Sequence, residues 1–147
     1  MNAVIFIGIQ ASGKSTFYSQ QFSRTHLRLN LDMLKTRHRE KELFCAALAT
    51  HTQIVIDNTN PTVADRARYI APSKSAGYRI IGYYFQSEID ACKQRNAKRP
   101  NDEQVPLAGL LGTYGRLEVP KFDEGFDELF YVRIKGEDGF TVEAWRE

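Results

Sequence analysis

Residues 8–15 read Gly8-Ile9-Gln10-Ala11-Ser12-Gly13-Lys14-Ser15, with Thr16 following. The octet matches the spacing G-x-x-x-x-G-K-[ST]. Glycines at these positions let backbone N–H groups close around phosphate oxygens. A helix that begins at the lysine aims its positive end at the same oxygens. Lys14 then adds a point charge on the outer phosphates, and the Ser15 hydroxyl is placed to ligate Mg²⁺. From background composition, chance matches arise roughly 0.005 times in a chain of this length. The context fits as well, because the apolar run Val4–Ile7 precedes the loop as a strand. The octet predicts a site for ATP or another nucleoside triphosphate with Mg²⁺. Its binding residues are Gly8, Gln10, Ala11, Ser12, Gly13, Lys14, Ser15 and Thr16.

Outward from the loop, apolar runs alternate with helical stretches. Candidate strands are Val4–Ile7, Leu27–Asn30, Gln53–Asp57, Tyr78–Phe85 and Glu128–Ile134. Their apolar character is continuous rather than alternating, which marks strands buried on both faces of a parallel sheet. Candidate helices are Lys14–Arg24, Met33–Thr50 as one broken or two short helices, Thr62–Ala76, Glu88–Arg99 and Pro106–Glu118. Ser87 is the expected N-cap of the fourth helix and Pro100 its stop, while Gly77 follows the third as a C′ residue. Gly136–Gly139 could turn the last strand into an antiparallel hairpin with Phe140–Trp145. The expected fold is α/β, a three-layer sandwich around a mainly parallel five-stranded sheet.

With 147 residues, 42% hydrophobic and 26% charged, the chain has the composition of one ordinary globular domain spanning 1–147. That argues against a disordered tail, a collagen-like chain or a coiled coil. No apolar run approaches the ~18 residues of a membrane span, and no secretory signal pattern opens the chain. A cytoplasmic location is expected. Cys45 and Cys92 are read as reduced thiols, too few and too far apart for a zinc site. His26, His38 and His51 show no ligand spacing. Residues 1–100 carry 15 Lys and Arg against 7 Asp and Glu, and residues 101–147 carry 5 against 11. A basic body suits a phosphate-bearing ligand.

A phosphoryl-transfer enzyme also needs a base for the acceptor hydroxyl and cations around the moving phosphoryl group. Asp32 follows a candidate strand and opens a helix, at the carboxyl edge of the sheet. The same position also suits a helix N-cap. Asp57-Asn58-Thr59-Asn60-Pro61 closes the strand before it, either as a second acidic motif that holds Mg²⁺ or as an Asx-rich turn. Arg95 and Arg99 share a helix face and lead into a polar stretch, so that residues 95–106 form a candidate helical lid. Tyr83, Tyr84, Phe85 and Tyr114 could stack a base, or simply fill the core.

Taken in order, several pieces resemble the 5′-kinase module of the polynucleotide kinase family, within the P-loop kinases. They are the phosphate loop, Asp32, Ile56-Asp57-Asn58-Thr59-Asn60-Pro61, Arg66-Ala67-Arg68-Tyr69, the Arg95 and Arg99 pair, and Val105-Pro106. Pro120–Asp127, with Glu124-Gly125-Phe126, is similar to the stretch that closes that module in animal members. The resemblance implies ATP-dependent phosphorylation of a DNA or RNA 5′-hydroxyl, a step in nucleic acid repair. It implies Lys14 and Ser15 on phosphates and Mg²⁺; Asp57 joins Ser15 as a candidate metal residue from its place at the end of an apolar strand, since family members differ on which residue of that loop is acidic. Asp32 would act as base, and Arg99 with Arg95 would clamp the donor phosphates. Many members place an arginine shortly after the base. Here Lys35 stands there, with Arg37 as a substitute, and Lys35, Arg37, Asn58 and Thr59 join Asp32 as acceptor contacts. No phosphatase or ligase module is expected in the chain. Two other readings stay open, a P-loop kinase of a nucleoside, sugar or antibiotic hydroxyl, and an ATP-binding module without transfer activity.

Overall fold

The computed structural model describes residues 1–137 and 139–147. Asp138, inside the expected Gly136–Gly139 turn, lies outside the described residues. Six strands form one sheet: β1 (Asn2–Ile7), β2 (Leu27–Leu29), β3 (Ile54–Ile56), β4 (Arg79–Phe85), β5 (Glu128–Lys135) and β6 (Gly139–Ala144). Their spatial order is β2-β3-β1-β4-β5-β6. The first five run parallel, and β6 pairs antiparallel with β5, Ile134 facing Phe140. The α/β class, the five parallel strands and the closing hairpin are as expected from the sequence.

β1 is central, and its side chains explain the layering. Ala3, Ile5 and Ile7 face one side, with Phe44 and Ala47 of α3 (Arg37–Ala49) and Tyr69 and Ile70 of α4 (Val63–Ser75). Val4 and Phe6 face the other, against Phe17 of α1 (Lys14–Gln21). Both faces are covered, so consecutive residues of β1 are apolar rather than alternate ones. On the second side, Phe6, Phe17, Phe22, Tyr83 and Phe85 meet mostly edge to face, with Phe6 and Phe85 centroids 5.0 Å apart. The quadrupoles of the rings favour that geometry. Tyr83, Tyr84 and Phe85 belong to these packed layers, while Tyr114 is exposed.

The expected Met33–Thr50 region is two helices, α2 (Leu31–Leu34) and α3. The break lies at Lys35 (φ 76°), and Thr36 caps α3 by accepting from Arg39 N. Thr62 and Asp65 form the capping box of α4. One expectation is corrected at α5 (Ile89–Ala97). Its N-cap is Glu88, whose carboxylate accepts from Asp90 N and Ala91 N. Ser87 is diverted, because its hydroxyl accepts from Ile9 N and donates to Phe85 O. The last helix, α6 (Leu107–Arg116), packs Leu110 with Cys92 of α5 against Ile9 and Ala11, beneath the glycine-rich loop. Both cysteines are free thiols. Among the described residues, no helix is long and apolar enough to cross a membrane.

Candidate active site

A cavity of about 650 Å³ opens at the carboxyl ends of β1 and β3. Lys14, Ser15, Asp32, Arg37, Asp57, Asn58, Thr59 and Arg99, all singled out in the sequence, line it. Lys35 is not among the lining residues, and its side chain is exposed at the end of α2. Arg116, at the end of α6, adds a cation that no sequence pattern marked.

The loop between β1 and α1 turns through Ala11 (φ 62°) and Gly13 (φ 102°). Gln10 and Ala11 form a turn, and among the described residues no backbone carbonyl accepts from the amides of Gly13 to Thr16. Gly13 caps α1 without a side-chain partner. Free amides ringing a cavity at a helix N-terminus fit the oxygens of a phosphate chain. The loop is anchored by Gly8 N donating to Thr59 O (3.0 Å) and by the Ser12 hydroxyl donating to Ile9 O (2.8 Å). Gln10 Nε2 donates to Thr113 Oγ1, and Arg95 Nε to Ala11 O. Gly13 must be glycine for a second reason. A Cβ there would lie 2.9 Å from the Phe140 ring and 3.3 Å from Ile134, both in the hairpin.

Lys14 is folded back along its own loop. Its ammonium donates to Gly8 O at 2.9 Å and Ile9 O at 2.7 Å. Its pKa is lowered from 10.5 to about 8, chiefly by burial and in small part by the nearby Arg99, with the carboxylates of Asp57 and Asp32 acting in the opposite direction.

Asp32 sits in the first turn of α2 and is not its cap. Asn30 takes that role, accepting from Met33 N while its Nδ2 donates to Asp57 O at 2.6 Å. Asn58 Oδ1 accepts from Leu31 N at 2.8 Å. The helix that carries Asp32 is thus bolted to the Asp57–Asn58 loop, and the Asp32 carboxylate is free to face the cavity. Behind it, Glu40 is a buried carboxylate that accepts from Tyr69 OH (2.6 Å), Asn58 Nδ2 (2.7 Å) and Arg37 Nη1 (2.9 Å). Burial and the Glu40 carboxylate raise the Tyr69 pKa and keep the phenol a donor.

Asp57, at the end of β3, is buried and ion-paired to Arg28 at 2.8 Å. Its carboxylate and the Ser15 hydroxyl are hard oxygen donors of the kind Mg²⁺ takes. Among the described residues, no three His, Cys, Asp or Glu side chains cluster as a metal site. Asn60 (φ 45°) closes the loop by donating to Phe6 O, and Arg66 Nη1 donates to Asn60 O and Pro61 O.

The helix α5 leads through Arg99 into a 3₁₀ turn at Asn101–Glu103. Asn96 pairs with Val105 in both directions, at 2.7 and 3.0 Å, and Gln104 Nε2 donates to Arg99 O. Arg99 faces both the main cavity and a smaller one lined by Gly13, Thr16, Arg95, Ile134 and Phe140.

A family model described as an AAA domain matches residues 4–120. The bifunctional polynucleotide phosphatase/kinase of Schizosaccharomyces pombe is 30% identical over 136 residues, which are 90% of this chain and 33% of that protein. The chain thus spans about a third of the length of this curated relative. Among solved structures, Kti12 of Chaetomium thermophilum in complex with ADP-AlF3 superposes with a TM-score of 0.67 at 18% identity, covering 89% of this chain and 88% of that one. A gluconokinase from Sinorhizobium meliloti 1021 gives 0.63 at 14% identity, covering 93% and 85%. At these identities the structural likeness shows a shared P-loop kinase fold.

Proposed function

The chain belongs to the AAA domain family, and we propose that within it the protein is an ATP- and Mg²⁺-dependent phosphotransferase acting on the 5′-hydroxyl ends of DNA or RNA. One observation carries the reading. The anion-ready loop and the free carboxylate of Asp32 line a single cavity, with Arg37 on the acceptor side and Arg99 on the lid side. A nucleotide-binding module needs the loop alone, whereas a kinase needs the base and the cations as well.

When bound, ATP supplies the phosphoryl group, and Mg²⁺ offsets the charge on its outer oxygens. Ser15 and Asp57 would hold the ion, and the amides of Gly13 to Thr16 would hold the phosphate chain. Lys14 would give up its contacts with Gly8 and Ile9 for the phosphates. Asp32 would take the proton of the 5′-hydroxyl as its oxygen bonds to the γ-phosphorus and the β–γ bridge breaks. Arg99, at the end of residues 95–106 acting as a lid, would neutralise charge on the transferring group. Arg95 would act through the loop, by holding Ala11 O. Arg37, Asn58 and Thr59 would receive the acceptor's backbone. The similarity to a polynucleotide phosphatase/kinase supports a nucleic-acid acceptor.

The test is transfer of labelled γ-phosphate from ATP with Mg²⁺ to a 5′-hydroxyl DNA oligonucleotide, its RNA counterpart and a nucleoside and sugar pool, offered in parallel. Label on an oligonucleotide, lost in Asp32→Ala, is the expected result and decides DNA against RNA. Label on small molecules alone assigns a small-molecule kinase. ATP binding with no transfer assigns a silent nucleotide binder.

A further inference from the structure

Arg28 lies at the middle of β2, on the edge of the sheet, and belongs to none of the motifs read in the sequence. Its Nε donates to Asp57 Oδ2 at 2.8 Å, and its Nη2 donates to Ser15 Oγ at 2.9 Å. The guanidinium rests over the Tyr18 ring, 5.6 Å from its centroid, with the side chain 26% exposed. One positive charge therefore spans the two side-chain oxygens assigned above to the metal.

We propose that Arg28 is an internal competitor for that metal. It holds Ser15 and Asp57 in register while no ion is present and releases Ser15 when one enters. The inference rests on the ATP and Mg²⁺ reading of the cavity. Mg²⁺ binds oxygen at about 2.1 Å, so an ion on Ser15 Oγ would meet the Nη2 group at close range, and like charges repel steeply there. Asp57 has two carboxylate oxygens and can serve both cations. Ser15 has one, so the Nη2 contact is the one that yields. The Tyr18 ring keeps the displaced guanidinium near the site. Arg28 thereby raises the concentration of divalent cation the site requires, and favours an ion that arrives with a nucleotide whose own oxygens complete its shell.

The test measures Mn²⁺ affinity by electron paramagnetic resonance in the presence of ADP, for the wild type, Arg28→Gln and Arg28→Lys. Binding of a fluorescent ATP analogue in EDTA is measured alongside, with a thermal melt to verify folding. In Arg28→Gln the Mn²⁺ affinity should rise by about 5- to 150-fold, the usual span for coupled sites, with metal-free nucleotide binding retained. Arg28→Lys, which keeps the charge but loses the fork, should fall between. Unchanged or weaker Mn²⁺ affinity in Arg28→Gln, with nucleotide still bound, overturns the competitor role and leaves the cavity reading intact. No nucleotide binding by the wild type overturns both. A wild-type readout covers the case in which the variants do not fold. In ¹⁵N-arginine spectra the Arg28 Nη signals should be separate without metal and should coalesce when Mg²⁺ and ADP free Nη2. Signals that stay separate at saturation overturn the proposal.

Discussion

Arg66 and Glu124 meet through two parallel hydrogen bonds of 2.7 and 3.0 Å, with their side chains 0% and 5% exposed. Fifty-eight residues separate them in the chain. The same guanidinium holds Asn60 O and Pro61 O, so the pair ties the segment after α6 to the loop that carries Asp57 and Asn58. Removing one partner leaves a buried charge without compensation. Glu124→Ala should cost about 3–5 kcal/mol, read as a lower denaturation midpoint at constant m-value.

Lys14 links stability to pH with a defined sign. Its folded pKa of about 8 lies below the ordinary 10.5. Between those values the unfolded chain binds a proton that the fold does not, so stability rises with pH across that window. The gain is complete above 10.5 and lost as pH falls through 8, and its size is of order 3 kcal/mol. Denaturation of nucleotide-free protein from pH 7.5 to 10.5 should show this slope, and Lys14→Met should remove the part due to Lys14.

The same titration should appear in ligand binding with the opposite sense. Nucleotide affinity should decline as pH rises above about 8, because the free ammonium loses the charge that attracts phosphate. Lys14→Ala should bind weakly at every pH in a fluorescence titration and should abolish transfer.

Asp32→Ala should lower turnover by roughly 10²–10⁴, the usual contribution of a general base, while ATP affinity stays within a few-fold of the wild type. Full turnover in this variant, measured by transfer of labelled γ-phosphate to an acceptor, would remove the base assignment.

Arg99 and Arg95 should separate kinetically. Arg99 reaches the cavity, whereas Arg95 Nε donates to Ala11 O of the loop. Arg99→Ala should lower kcat, and Arg95→Ala should chiefly raise the KM for ATP. Steady-state kinetics on both variants distinguishes the roles.

The layering was legible in the sequence because strands buried on both faces leave continuous apolar runs, as in Val4–Ile7 and Gln53–Asp57. Lys14 and Ser15 were legible as candidates because the octet Gly8–Ser15 has a fixed spacing, and Asp57 because it ends an apolar strand; the structure brings all three to one cavity. Other parts depend on contacts that no local pattern carries. Asn30 caps α2 in place of Asp32 because its amide also reaches Asp57 O. Ser87 lost its cap role to Glu88 because Ile9 N took its hydroxyl. Glu40 is a polar residue among exposed neighbours until Tyr69 of α4 and Asn58 of the loop after β3 come to it on the same face of the sheet. Arg37 rather than Lys35 lines the cavity because the positive φ of Lys35 redirects the chain between two helices.

Gly13 abuts Phe140 and Ile134, more than a hundred residues further along the chain. During synthesis on a ribosome, the glycine-rich loop and its lysine emerge long before the hairpin that walls them. The wall that Phe140 and Ile134 give Gly13 is therefore completed only once the hairpin has been made, despite the loop's early place in the message. Until the final strands dock, the nascent chain has the letters of the phosphate site without its walls.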